Sequence, residues 1–342
     1  MNQKNIIFGN VEIGNDCRPV TIAEAAVEHL GSVKVAMRMI DSAKEVGADF
    51  VKFQLHLPKN EMVPDVIKFW GGSLDEILEN YNLSINDHKI LMDYCKEIGI
   101  EYLCTPFCPD AVDVLDDLEV KGFKTGSGEM LNLPMMKKIV DTGKPVIVST
   151  GMSTIKEIES LVNYLKKAKS EFMILNCTSI YPAPYDSINL NLIPFYRDKF
   201  DVLVGHSDHT PDIWTSLGAV ALGANVIEKH FTLNRILNGP DSKVSLEPKE
   251  FKLMVDSIGK IYASLGIEKK IHSKENQVRD WAHHSVVAME DIRINTIVTK
   301  NMVSVKRPGW GIPARNLEDV IGKKTVKNLK KDSIVQWSDF SV

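Results

Sequence analysis

Along the first 265 residues the apolar positions switch repeatedly between two rhythms. Short β-branched runs bounded by turn residues read as buried strands at 21–27, 49–54, 101–105, 122–125, 145–150, 172–178, 201–206 and 225–230. Between them lie stretches of helical period, such as 33–46 with Val35, Ala36, Met39, Ile40 and Ala43, and 86–98 with Ile90, Leu91 and Tyr94. Alternating strand and helix predicts parallel pairing, and eight such units in about 230–250 residues predict a closed (β/α)8 TIM barrel. The insertion 57–84, which holds Trp70-Gly71-Gly72, is then a loop on the catalytic face.

Beyond a last helical stretch at 248–265 the pattern changes. Residues 267–282 are polar and charged and read as a linker, and from His284 onward there are only short apolar runs broken by turns, including Arg307-Pro308-Gly309-Trp310-Gly311. The expected organisation is a barrel over 1–266, a linker over 267–282 and a small β-rich domain over 283–342.

A chain of 342 residues with 44% hydrophobic composition can bury more than one core. The net charge of -4 is spread along the chain without a long basic run, which argues against a nucleic-acid or anionic-membrane surface and for small-molecule partners. No segment has the roughly 18–20 apolar residues of a membrane span, and the start lacks a signal-peptide core, so a cytoplasmic protein is expected. The five cysteines lack paired-ligand spacing and read as reduced thiols, Cys104 and Cys108 included.

Candidate chemistry gathers at the C-terminal ends of the expected strands, where barrel enzymes keep their reactive groups. These positions are Glu24 and His29, Lys52 and Gln54, Thr105-Pro106-Phe107, Lys124 to Glu129, Ser149-Thr150-Gly151, Thr178 to Pro182, His209 and His230. His209 and His230 end the seventh and eighth runs, one strand-helix unit apart, which is the placement of a metal site. Glu228 shares a strand face with His230 through period-2 alternation. Two lysines, several hydroxyls and glycine-rich turns suit a phosphate and a carboxylate, so a phosphorylated acid is the expected ligand. Carboxylates Glu24, Glu129 and Glu228 beside those cations can shuttle protons or join imidazole on Mn²⁺ or Mg²⁺. His29, His206, His283 and His284 read as structural or surface groups, His56 and His88 carry no assigned role, and Met135, Met136 and Met152 read as core fillers.

Taken in order, these segments carry a resemblance. Ala23-Glu24 with His29 and Gly31, Val51-Lys52-Phe53-Gln54, Thr105-Pro106-Phe107, Lys124 to Glu129, Ser149 to Met152, Cys177-Thr178 with Tyr181-Pro182, Ser207-Asp208-His209-Thr210, Glu228-Lys229-His230-Phe231 and Gly239-Pro240-Asp241 resemble the sialic acid synthase family. That family condenses phosphoenolpyruvate with an N-acetylated aminosugar. The terminal segment with Val305-Lys306-Arg307-Pro308-Gly309 resembles its antifreeze-like SAF (β-clip) domain.

The resemblance implies that Lys52, Thr105, Lys124, Ser127 and Ser149 anchor phosphoenolpyruvate, and that His209 and His230 bind Mn²⁺, with Mg²⁺ as the alternative ion. It places Glu24, Glu129 and Glu228 among the acidic site residues, with general acid and base work assigned to Glu24 and Glu129, and it puts Tyr181 and Asp241 near the sugar. It also implies a domain-swapped homodimer in which Arg307 acts in trans. Glu28 and Ser179 stand where many members have Asn, which bears on the choice of sugar. The expected product is a nonulosonic acid made from an open-chain acetamido or diacetamido hexose with loss of phosphate. Two other classes of function compete: a Schiff-base aldolase using Lys52 or Lys124, and a non-catalytic carbohydrate-binding protein.

Overall fold

The computed structural model describes residues 5–69 and 72–341, so Trp70 and Gly71 of the insertion lie outside the described residues. The chain divides into two compact units, Met1–Gly266 and Ile267–Val342.

The first unit is built on eight parallel strands: β1 (Val20–Ala26), β2 (Phe50–Leu55), β3 (Glu101–Pro106), β4 (Phe123–Thr125), β5 (Val146–Ser149), β6 (Phe172–Cys177), β7 (Val204–Asp208) and β8 (Val226–His230). Ladders join them in the order β3-β2-β1-β8-β7-β6-β5-β4. The remaining edges, β3 and β4, lie side by side without a ladder, so the sheet is a nearly closed TIM barrel. Eight helices follow the strands in turn: α1 (Val33–Glu45), α2 (Ile85–Ile98), α3 (Pro109–Asp117), α4 (Leu133–Asp141), α5 (Ile155–Lys167), α6 (Leu192–Phe200), α7 (Trp214–Ala221) and α8 (Pro248–Ser264).

Local chemistry sets the helix ends. Ser84 with Asp87 opens α2 and Thr154 with Glu157 opens α5 through reciprocal side-chain and backbone bonds, each satisfying two otherwise orphaned amides. Gly99 ends α2 in the left-handed region, at φ 75°.

Period-2 alternation divides the strand side chains into two sets. Outward ones such as Val51, Phe53, Val146 and Val148 pack against the helices. Inward ones make layers, and the lowest is apolar: Ile22, Phe50, Leu103, Ile147, Met173, Leu203 and Val226. A hairpin that the apolar pattern does not foretell, Ile6–Phe8 paired with Val11–Ile13, adds Ile6, Phe8 and Ile13 to this layer. Phe8 meets Phe50 edge-on at 6.2 Å. The fit is close enough that a Cβ on Gly122 would stand 2.3 Å from the Phe8 ring. The hairpin therefore plugs the N-terminal end of the barrel.

The insertion is more ordered than a loop. It carries the short helices Pro58–Glu61 and Leu74–Tyr81 and a two-residue antiparallel pair, Lys68–Phe69 with Gly72–Ser73.

In the second unit a helix, α9 (Glu275–Ala282), occupies part of the stretch read as linker. Its apolar residues Val278 and Trp281 are both exposed, so no buried stripe announces it. Its C-terminal carbonyls are taken up by the small domain itself: Gly309 N–H donates to Asp280 and Arg307 Nε donates to Ala282. Strands β9 (Ser285–Ala288) and β10 (Val303–Lys306) pair antiparallel, and single bridges tie the remaining segments around Val286, Val298, Ile312, Val320 and Val335.

Candidate active site

Above the apolar plug the inward layers become polar. In the next layer stand Glu24 on β1, Lys52 on β2, Thr105 on β3, Lys124 on β4, Ser149 on β5, Ser207 on β7 and Glu228 on β8, all buried. They form the floor of a cavity of about 760 Å³ that opens at the C-terminal ends of the strands. Ser127, Glu129, Ser179, Tyr181, His209, His230 and Asp241 also line it, while Ile67, Leu74, Ile77, Leu78 and Tyr81 of the insertion supply apolar wall. The residues given a catalytic, substrate-binding or metal role in the sequence reading therefore share this one cavity except Arg307, which belongs to the second unit and lies over the Trp281 ring at 5.5 Å. His29 is not in the wall; it is buried, and its Nδ1 accepts from Gly31 N–H.

The floor is a compact charge network. Glu24 and Lys52 are register partners across β1 and β2, next to a bulge that shifts the pairing by one residue before Ala26. Lys52 Nζ lies 2.6 Å from Glu24 Oε2 and 3.2 Å from Glu228 Oε2, and it donates to Thr105 Oγ1 at 3.2 Å. Lys124 Nζ lies 3.5 Å from Glu228 Oε1 and donates to Ser149 Oγ at 2.7 Å and to the Thr125 carbonyl at 2.9 Å. Glu228 thus bridges the two ammoniums, with Ser207 Oγ donating to it at 2.9 Å.

Burial alone would raise the Glu228 pKa, but Lys124 and Lys52 outweigh it and hold the carboxyl down at about 2. Burial pushes Lys52 down to about 8 against the pull of Glu228. Glu129 goes the other way: burial lifts it to about 7, so near neutral pH it can give or take a proton. Its carboxyl lies over Gly126, where a Cβ would come within 2.3 Å of Oε2. Asp241 is likewise raised by burial, to about 6.

Opposite the lysines, His209 and His230 face each other with ring centres 5.3 Å apart. The strands beneath them are locked by a buried pair of register partners, Asp208 and Lys229, at 3.3 Å, with Thr215 and Ser216 also donating to Asp208. Tyr181 stacks on His209 at 4.1 Å and meets His230 edge-on at 5.6 Å. The Thr178 carbonyl lies 2.7 Å from His209 Nδ1 and so fixes the proton there, leaving Nε2 as the free donor atom. Burial and the neighbouring His209 keep His230 well below the usual histidine range, hence neutral, and its buried Nδ1 lacks a hydrogen-bond partner, with Asp241 Oδ2 3.6 Å away. Two imidazoles with available nitrogens suit a divalent ion whose other positions are filled by water and substrate; among the described residues no set of three or more His, Cys, Asp or Glu side chains is placed to cage one.

Three wall residues have no role in the sequence reading. His56 follows β2 on the inward face of Lys52 and Gln54, so extending the period-2 count two residues past the apolar run would have found it. Glu61 comes from the insertion and has no such signal. Cys177, inward on β6, lies 4.0 Å from His209 Nδ1, whose bond brings the thiol down to about 7 although burial opposes it.

Compared with known proteins, residues 39–270 match the NeuB family and residues 283–341 the SAF domain. The chain belongs to the NeuB family. As a NeuB-family protein it is an enzyme of the synthase type, in the transferase class. It is 39% identical over 331 residues to an N,N'-diacetyllegionaminic acid synthase of Campylobacter jejuni, covering 93% of this chain and 99% of the relative. The N-acetylneuraminate-9-phosphate synthase of Mus musculus is 35% identical over 324 residues, covering 92% and 90%. A crystal structure of an N-acetylneuraminic acid synthetase from Leptospira borgpetersenii in complex with citrate superposes with a TM-score of 0.73 at 32% identity, covering 81% of this chain and 95% of that one.

Proposed function

We propose that this NeuB-family enzyme condenses phosphoenolpyruvate with the open-chain form of an acetamido hexose to give a nonulosonic acid and inorganic phosphate. The observation that carries this reading is the pair of buried ammoniums, Lys52 and Lys124, converging on the Glu228 carboxylate at 3.2 and 3.5 Å on a cavity floor completed by Glu24 and the hydroxyls of Thr105, Ser149 and Ser207. Such a floor is made for an anion, and the Thr105, Ser127 and Ser149 hydroxyls add neutral donors for the phosphate and carboxylate of phosphoenolpyruvate. The Schiff-base alternative needs a neutral lysine; burial brings Lys52 down only to about 8, and with Glu24 at 2.6 Å and Glu228 at 3.2 Å it stays charged near neutral pH.

His209 and His230 would hold Mn²⁺ or Mg²⁺, which when bound supplies Lewis-acid polarisation of the sugar aldehyde. C3 of phosphoenolpyruvate then forms a bond to the aldehyde carbon, whose oxygen takes up a proton. Water adds at C2 and loses a proton, and the C2–O bond breaks so that the oxygen departs with phosphate. Glu129, poised near neutrality, and Glu24, hydrogen-bonded at the floor, exchange these protons, while Lys52 and Lys124 stabilise the leaving phosphate. Tyr181, Ser179, Glu228 and Asp241 border the space left for the sugar.

The working unit is a homodimer in which Arg307 of the partner subunit completes the sugar site. The 39% identity to a diacetyllegionaminic acid synthase makes a diacetamido hexose the first acceptor to test. The decisive measurement is phosphate release over a panel of acetamido and diacetamido hexoses with Mn²⁺ or Mg²⁺, using phosphoenolpyruvate labelled with ¹⁸O at the bridging oxygen. Label in the released phosphate and a product mass equal to the sum of the condensed parts support the reading. Absence of phosphate release across the panel refutes it.

A further inference from the structure

One wall of the cavity carries a hydrogen-bonded chain of which the condensation steps use only the Glu24 end. Gln54 Nε2 donates to Glu24 Oε1 at 2.9 Å, and Gln54 Oε1 lies 3.0 Å from His56 Nε2. His56 Nδ1 lies 2.9 Å from Glu61 Oε1, and Glu61 Oε2 accepts from Leu57 N–H at 3.1 Å. The His56 ring is held in plane by stacking on Phe107, with centres 4.1 Å apart and planes 17° apart. His56 and Glu61 side chains are both buried, at 6% and 5% exposure.

The donor and acceptor inventory sets the orientation of the amide in this chain. In the resting site Glu24 pairs with Lys52 at 2.6 Å, so there it is a carboxylate that only accepts, and the nitrogen end of the Gln54 amide faces it. The amide oxygen therefore faces His56, and it too only accepts. Glu61 lies on the far side of the ring, and as a carboxylate it accepts there, which makes donors of both His56 nitrogens. With its oxygen and one N–H engaged, the amide keeps its second N–H without a protein partner among the described residues, on a side chain that lines the cavity.

We propose that His56 and Glu61 are positioning residues that lock the Gln54 amide as a hydrogen-bond donor to an oxygen of the acceptor sugar, such as an acetamido carbonyl. This rests on the proposed condensation. Without the lock the amide is held at one end only, by Glu24, and its second N–H is no longer held in one direction toward the cavity, so the lock selects the sugar and leaves phosphoenolpyruvate untouched. Because Glu61 sits at the start of the insertion, the roof of the cavity sets the polarity of a group on its wall.

The test is steady-state phosphate release by full-length variants. His56→Phe keeps a ring against Phe107 and removes both N–H groups; it raises the sugar KM roughly 5- to 20-fold while the phosphoenolpyruvate KM stays within about twofold. Glu61→Ala moves the same way, and Glu61→Gln restores most of the loss because its carbonyl still accepts from Nδ1. Adding Gln54→Ala to His56→Phe costs less than Gln54→Ala costs in the wild type, since the donor it removes has already lost its fixed direction. Additive losses, or equal changes in the two KM values, overturn the proposal. A substrate-free measurement keeps it separate from the condensation: imidazole ¹⁵N spectra, assigned through His56→Phe, show two protonated His56 nitrogens if the chain exists as described. One unprotonated nitrogen refutes the lock whatever the substrate is. If the wild type releases no phosphate from any sugar, the condensation fails, and the ring spectrum still upholds or overturns the chain.

Discussion

Replacing Glu228 by Gln removes the carboxylate that bridges the two floor lysines and should expose how strongly this site wants an anion. Lys52 lies 3.2 Å and Lys124 3.5 Å from Glu228, and at an effective dielectric of about 20 each attraction is about 5 kcal/mol before desolvation is subtracted. Lys52 keeps Glu24 as a partner, but Lys124 is left without a carboxylate and keeps only Ser149 and the Thr125 carbonyl. Breaking a buried pair from one side costs about 3–5 kcal/mol. At about 2–4 °C per kcal/mol, the ligand-free variant should melt roughly 6–20 °C below the wild type. Inorganic phosphate should then bind the two ammoniums in place of the lost charge. Because a ligand stabilises in proportion to RT ln(1 + [L]/Kd), millimolar phosphate should raise the variant's melting temperature by several degrees more than that of the wild type, where Glu228 competes. The assay is differential scanning fluorimetry of both proteins over a phosphate titration at constant ionic strength. Melting points within about 2 °C of each other, or equal shifts with phosphate, would refute the idea that Glu228 occupies an anion-seeking position.

Glu28 gives a prediction of opposite sign. Its buried carboxyl accepts from Asp241 N–H at 2.9 Å and is raised by burial to about 7 from 4.5, so its ionisation favours the unfolded chain as pH climbs from about 4.5 to 7. Glu28→Gln should therefore be more stable than wild type above pH 7 by up to about 3 kcal/mol, the gap closing below about pH 4, as read by urea unfolding across that range. His209→Ala and His230→Ala should each abolish turnover without lowering the melting temperature by more than a few degrees, and elemental analysis should show that each loses bound Mn²⁺. Full activity after chelation and dialysis would contradict the metal role. Arg307→Ala should raise the sugar KM at least about tenfold and leave that of phosphoenolpyruvate nearly unchanged; equal rises would count against a sugar-contacting arginine.

The barrel is legible because its strands are buried on both faces and so appear as short branched apolar runs, each followed by a helix with a clear stripe. The same alternation carries the floor of the site: Ile22 then Glu24, Phe50 then Lys52, and Val226 then Glu228 each turn from apolar plug to charged floor in two residues. What escapes is whatever lacks a period. The basal hairpin has strands of three residues, and α9 exposes its only two large apolar side chains. His56 stands just past the end of an apolar run, and Glu61 reaches the cavity from an insertion whose sequence gives no sign of where it folds.

The basal hairpin makes the barrel a well with a floor and one mouth. The Lys52 and Lys124 layer lies nearest the stopper, and the imidazole pair stands nearer the rim. If the proposed condensation runs in such a vessel, its traffic would have a sequence: the anion that rests on the bottom would enter before the guest that settles above it, and phosphate set free below would depart only when the upper tenant has made room.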